Sequence, residues 1–278
     1  MAVIDENKKE DVKQEKTTRA NEHQAFENTL AKGKEGGLFR TCMGSIRRSH
    51  TKGQALRMGL VATGLLSDVN CYTEALTQFY VCTKALDERL KSCKLDVVVK
   101  VRDALRKYAF VEGYEADLQQ LLGGEDWESK VQARTNPAAL KYCQYLKECD
   151  DLELVAAVYV LYGALVIGGG AAMEPRVKKR FGATSLFKNV IGPGRAERKG
   201  EFIALYDELL QAEGDERFEK IVLSTAQFME RNNQLMLNMY KRPYWYYPLG
   251  FGLLAVAAGV GMLSIRLLTS SRALRVDR

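Results

Sequence analysis

Residues 151–170 read DLELVAAVYVLYGALVIGGG. From Leu154 to Ile167 there is no charge, and the only polar side-chain atoms are the hydroxyls of Tyr159 and Tyr162. A helix apolar on every side belongs inside a core or a membrane. These 14 residues fall short of the ~20 that cross a bilayer. The stretch therefore predicts the central helix of a helical domain. It runs into Gly168, Gly169 and Gly170, where the missing Cβ lets another group come close to the backbone. Two readings follow: a core helix with a glycine stop, or a helix laid over a flat ligand.

Working outward, the same class recurs. The 278 residues are 46% hydrophobic and hold five prolines, and apolar residues fall at steps of three and four, so the chain is expected to be all-α. Upstream, Asn136-Pro137 starts a helix to about Asp150, with proline tolerated in the first turn. Val69, Tyr72, Ala75, Leu76 and Phe79 mark a long helix over 68–91, and a shorter one is expected over 38–49, separated by HTKGQALRMGLV. Residues 96–122 read as one or two further helices before the break at 121–126. Downstream, VKKRF (177–181) is basic, ATSLFKNVIGPGRAERKGE (183–201) reads as a loop, and helices are expected over 201–212 and 216–240.

Charge placement defines the ends. Residues 1–36 are polar and mixed in charge, which predicts an extension disordered or solvated on its own. The formal charge of +6 is concentrated in 241–278, which carries +5 beside PYWYYPLGFGLLAVAAGVGMLSI (243–265). Aromatic residues at one end and basic residues at both ends are the marks of a membrane helix. The expected domains are thus an extension over 1–36, a helical domain over 37–240 and a C-terminal membrane anchor over 241–278. Ala255, Ala258 and Gly259 offer a face for packing on a neighbouring helix. With no signal peptide visible, the domain is expected to face the cytosol or an equivalent compartment. The short span favours a mitochondrial membrane, with the endoplasmic reticulum as the alternative. No basic patch on the domain suggests nucleic acid. Six cysteines without a CxxC pair, and two histidines, argue against zinc and for reduced thiols.

This order of elements resembles membrane-anchored heme oxygenase over about 38–240 plus the tail. HTKGQA (50–55), LVAAVYVLYGALVIGGG (154–170), EFIALYDELL (201–210) and the helix ending QLMLNMY (234–240) carry the resemblance. It implies that His50 stands where the family's heme-iron ligand stands, and imidazole is a sound ligand for iron. It also implies a distal helix with an acid that orders proton-delivering water, preceded by a glycine. Those positions hold Leu165 and Ala164 here, and the signature histidine is Ala157. Tyr159, Tyr162, Gly168 and Gly169 are kept, and would contact heme if it is bound. A leucine neither positions water nor supplies a proton. The positions that would pair with the heme carboxylates hold Ile203 and Asp207, and an aspartate repels a carboxylate. Arg47, Arg198 and Lys199 are possible substitutes.

The expected function is accordingly a heme-oxygenase-like protein without catalytic residues. It would be a structural or accessory subunit of a membrane complex, a mitochondrial respiratory one for instance. Its partners would be membrane-protein subunits that meet the anchor and the N-terminal extension. Heme is possible as a cofactor but not expected. The alternatives are a divergent heme oxygenase that opens heme to biliverdin, or a heme sensor or carrier using His50.

Overall fold

A computed structural model describes residues 36–168, 170–191, 194–210 and 216–239. The expected membrane helix, all but the last residue of the extension, and Gly169 lie outside the described residues. Among the described residues no helix is long and apolar enough to cross a membrane.

The described residues are helical, as the spacing predicts. In chain order the helices are α1 (Gly37–Thr63), α2 (Val69–Ser92), α3 (Asp96–Leu105), α4 (Phe110–Leu122), α5 (Trp127–Arg134), α6 (Pro137–Glu148), α7 (Glu153–Leu161), α8 (Gly163–Val166), α9 (Gly170–Phe181), α10 (Arg195–Leu209) and α11 (Glu216–Leu237). A 3-10 turn, Ser185–Phe187, lies between α9 and α10. Local chemistry fixes several ends. Asp68 accepts hydrogen bonds from the backbone of Asn70 and Cys71 to cap α2. Asn136 caps α6 through Ala139, with Pro137 in the first turn.

α7 is the centre, as its sequence requires. Leu154 to Leu161 are all buried, and α2, α3 and α11 pack around them. Each of its Leu and Val side chains contributes about 1.5–3 kcal/mol by leaving water. The expected single helix over 154–167 is interrupted at Tyr162, where α7 gives way to α8.

Three other boundaries differ from expectation. The first helix does not stop at Ser49 but continues through His50 and Gly53 to Thr63. Gly53 is retained inside it because α11 passes there: a Cβ would stand 2.5 Å from Asn233 Oδ1, and Asn233 donates to the Ser49 carbonyl at 2.9 Å. Part of the expected loop over 183–201 is helical, because α10 begins at Arg195. Residues 127–134 and 170–181 form α5 and α9, short helices of mainly polar composition, whose apolar residues are few: Trp127 and Val131 in α5, and Met173, Val177 and Phe181 in α9.

The interior falls into two apolar groups. A large one surrounds α7. A small one joins Leu65, Ala75 and Met239, with Leu60, Phe79 and Met236 against them. All six cysteines are free thiols, and the described residues contain no cluster of potential metal ligands.

Candidate functional site

Between these two groups lies an apolar cavity of about 140 Å³. α8 brings Ala164 and Leu165 to it, the two positions where the sequence resemblance expects a glycine and an acid. Val160 and Leu161 of α7 share that face, one turn earlier. Leu165 is only 8% exposed. Its neighbours along the wall include Leu76, Leu186 and Phe187. The one side chain at the cavity with a permanent charge is Arg57 of α1.

The remaining sequence-predicted residues go elsewhere. His50 lies on α1 two turns before Arg57, roughly 10 Å along the axis, and does not line the cavity. It is half-buried. Burial, aided by the Arg57 charge, holds its pKa below the ordinary 6.5, so the imidazole is neutral at neutral pH. Tyr159 and Tyr162 sit on the other face of the α7–α8 segment. Tyr159 donates to the Phe39 carbonyl at 3.1 Å and meets the Tyr206 ring edge-on at 5.1 Å. Tyr162 packs on Phe110 at 4.8 Å. Both are structural contacts, tying the central helix to α1, α10 and α4.

Gly168 also has a structural use. A Cβ there would stand 2.5 Å from the Ala164 carbonyl oxygen, so the chain can leave α8 in this way only with glycine. Asp207 is engaged as well. Its carboxylate accepts a 2.9 Å hydrogen bond from the Phe39 backbone N–H in the first turn of α1, a favourable place for negative charge. It therefore acts as a cap for α1.

Sequence reasoning missed two polar residues at the cavity. Tyr72 of α2 and Asn232 of α11 both line it, and they are 4% and 8% exposed. Tyr72 Oη and Asn232 Oδ1 have no hydrogen-bond partner among the described residues. Burial raises the Tyr72 pKa far above its ordinary value, with the Asp117 and Tyr114 charges adding to the effect, so the hydroxyl keeps its proton. Asn232 had a sequence signal: it interrupts the apolar stripe of Phe228, Leu235 and Met239.

The turn bearing Leu186 and Phe187 is held by Asp117 of α4. Its two carboxylate oxygens accept from the backbone N–H groups of Ser185 and Leu186 at 2.7 and 3.1 Å. Burial raises the Asp117 pKa, against these hydrogen bonds, which lower it. Gly113 allows the approach, since a Cβ there would meet Leu186 Cα at 2.8 Å.

Comparison with known proteins fits this architecture. The family model described as heme oxygenase matches residues 47–236. Among solved structures, the chain is similar to heme oxygenase 2 from Chlamydomonas reinhardtii without heme. The TM-score is 0.63 and the identity 24%, covering 73% of this chain and 98% of that one. Heme oxygenase-2 from Synechocystis sp. PCC 6803, in complex with heme and NO, gives a TM-score of 0.63 at 18% identity, over 73% of this chain and 84% of that one. Heme oxygenase-1 from the same cyanobacterium, in complex with heme, gives 0.59 at 15%, over 81% and 99%. No curated protein sequence matches the chain.

Proposed function

The chain belongs to the heme oxygenase family, and we propose that it keeps the family's fold without its chemistry, serving as a membrane-anchored accessory subunit of a larger membrane complex. Leu165 carries this reading. It stands where the sequence resemblance puts the distal acid, is buried, and faces an apolar cavity. Proton delivery to a substrate needs a titratable side chain or ordered water within hydrogen-bond reach. Val160, Leu161, Ala164 and Leu165 offer neither, and burial holds the Tyr72 hydroxyl at the same cavity far above its ordinary pKa.

The side chains present do not suit a heme. The cavity beside Leu165 is about 140 Å³, close to the ~150 Å³ of a cavity that holds one benzene ring and small for a macrocycle. His50 is outside that cavity. Asp207, at a position expected to meet a heme carboxylate, is a carboxylate itself and is committed to α1. The membrane part of the reading rests on sequence: the apolar run over 243–265 with its basic flanks. A mitochondrial membrane is the setting its short span favours, with the endoplasmic reticulum as the alternative, and a respiratory assembly is the complex proposed for it.

The test is to solubilise native membranes gently and follow the full chain by native electrophoresis. Co-migration with a large membrane complex is expected, and recovery only as a free monomer contradicts the role. A second reading is favoured by one observation. The His50 imidazole is kept neutral by its surroundings, which is the form that binds metal. On that reading the chain holds heme through His50, as a sensor, carrier or divergent oxygenase.

A further inference from the structure

We propose that Cys82 and Cys143 form a redox-active thiol pair: a hydroperoxide oxidises Cys143, and Cys82 closes a disulfide onto it. Cys82 lies on α2 and Cys143 on α6, helices that pack against each other. Cys143 Sγ donates to the carbonyl of Val81, the residue before Cys82, at 3.5 Å. The Cys82 thiol is within hydrogen-bonding reach of the Cys143 sulfur. Packed helices have axes ~8–10 Å apart and carry Cα atoms ~2.3 Å from each axis, so facing Cα atoms come within about 3.5–5.5 Å. That range overlaps the ~4.4–6.8 Å that a disulfide spans.

The two thiols suit different steps. Cys143 is half-buried and lines a surface groove with Tyr80, Lys84, Trp127 and Val131, which opens it to a small peroxide. The hydrogen bond from Cys82 holds its pKa below the ordinary value, against burial, and the Lys147 charge adds to the effect. The thiolate so favoured is the nucleophilic form. Cys82 is fully buried. Burial, with its contact to Cys143 adding, keeps it protonated, so oxidant reaches it only through Cys143. In the first step the Cys143 thiolate attacks one oxygen of hydrogen peroxide. The O–O bond breaks, hydroxide leaves, and Cys143 becomes a sulfenic acid. In the second step the Cys82 sulfur displaces that hydroxyl, which leaves with the Cys82 proton as water, and the S–S bond forms. The peroxide takes up two electrons and the thiol pair gives up two. In a reducing compartment such a bond is transient and serves sensing rather than structure. This inference is independent of whether the chain joins a complex or holds heme.

The test is a map of the thiols. The reduced, solubilised full chain is treated with a stoichiometric amount of hydrogen peroxide. Remaining thiols are then alkylated and the peptides are identified by mass spectrometry. In most chains a Cys82–Cys143 cross-link lacking two hydrogens is expected, and dithiothreitol should remove it. Cys71 is also half-buried, but it lies eleven residues before Cys82 on α2, roughly 16 Å along the axis. It is expected to remain open to alkylation. In Cys82→Ala, dimedone should trap Cys143 as the sulfenic acid, and in Cys143→Ala, Cys82 should stay reduced. The wild-type map decides the matter even where a variant does not fold. The proposal is overturned if Cys71 is oxidised as readily as Cys143, or if Cys143 is oxidised in the wild-type chain without a cross-link to Cys82. Oxidation of Cys82 in Cys143→Ala at the wild-type rate overturns it as well.

Discussion

At the scale of single residues, the proposed function turns on Leu165, which stands where the sequence resemblance expects a carboxylate. That reading comes from the sequence, where Leu165 falls inside a collinear pattern. The consequences for its neighbours were not legible there. Tyr159 and Tyr162 looked like remnants of a ligand site and Asp207 like a departure from one, yet they bond to Phe39 or pack on Phe110, partners far away in sequence. Restoring the acid alone is not expected to restore a site. Leu165→Asp would bury a carboxylate in an apolar wall and should lower stability by roughly 3 kcal/mol in urea denaturation, without producing heme turnover. His50 gives a pH-dependent expectation. Its folded pKa lies below the unfolded 6.5. Between those values the unfolded chain binds more protons, so stability rises with pH there and is lost as pH falls through the window. His50→Gln removes this contribution. The variant should lose less stability than wild type between about pH 7.5 and about pH 5.5, and an equal loss in both would refute the assignment.

At the scale of elements, glycines record where helices meet. Gly113 lets α4 reach the turn that presents Leu186 and Phe187 to the cavity. Gly113→Ala should cost roughly 1–3 kcal/mol in chemical denaturation, because the obstruction is backbone. Gly200→Ala is the matched control. It sits inside α10 with open space around its missing Cβ, so it should be neutral or stabilising by about 0.5–1 kcal/mol. Equal effects at the two sites would contradict the packing described. Sequence spacing located the strongly amphipathic helices within a few residues, but it failed where tertiary packing overrode local preference. Gly53 did not end α1, since α11 holds it there. The break at Tyr162 was hidden within a uniformly apolar run, where periodicity carries no information.

At the scale of the whole molecule, the all-α class and the family were readable from one end of the helical domain to the other. The cavity was not, because it exists only where α1, α2, α8 and α11 approach one another. Two polar residues that line it, Tyr72 and Asn232, whose Oη and Oδ1 have no hydrogen-bond partner among the described residues, come from helices α2 and α11, more than 150 positions apart. The central claim is that this arrangement no longer performs the oxygenase reaction. The most direct measurement is to titrate the full chain, wild type and His50→Ala, with hemin while recording absorption spectra. Reductant and oxygen are then added and biliverdin is assayed. The account predicts no Soret shift that depends on His50, and no biliverdin. A His50-dependent shift followed by biliverdin formation would contradict it.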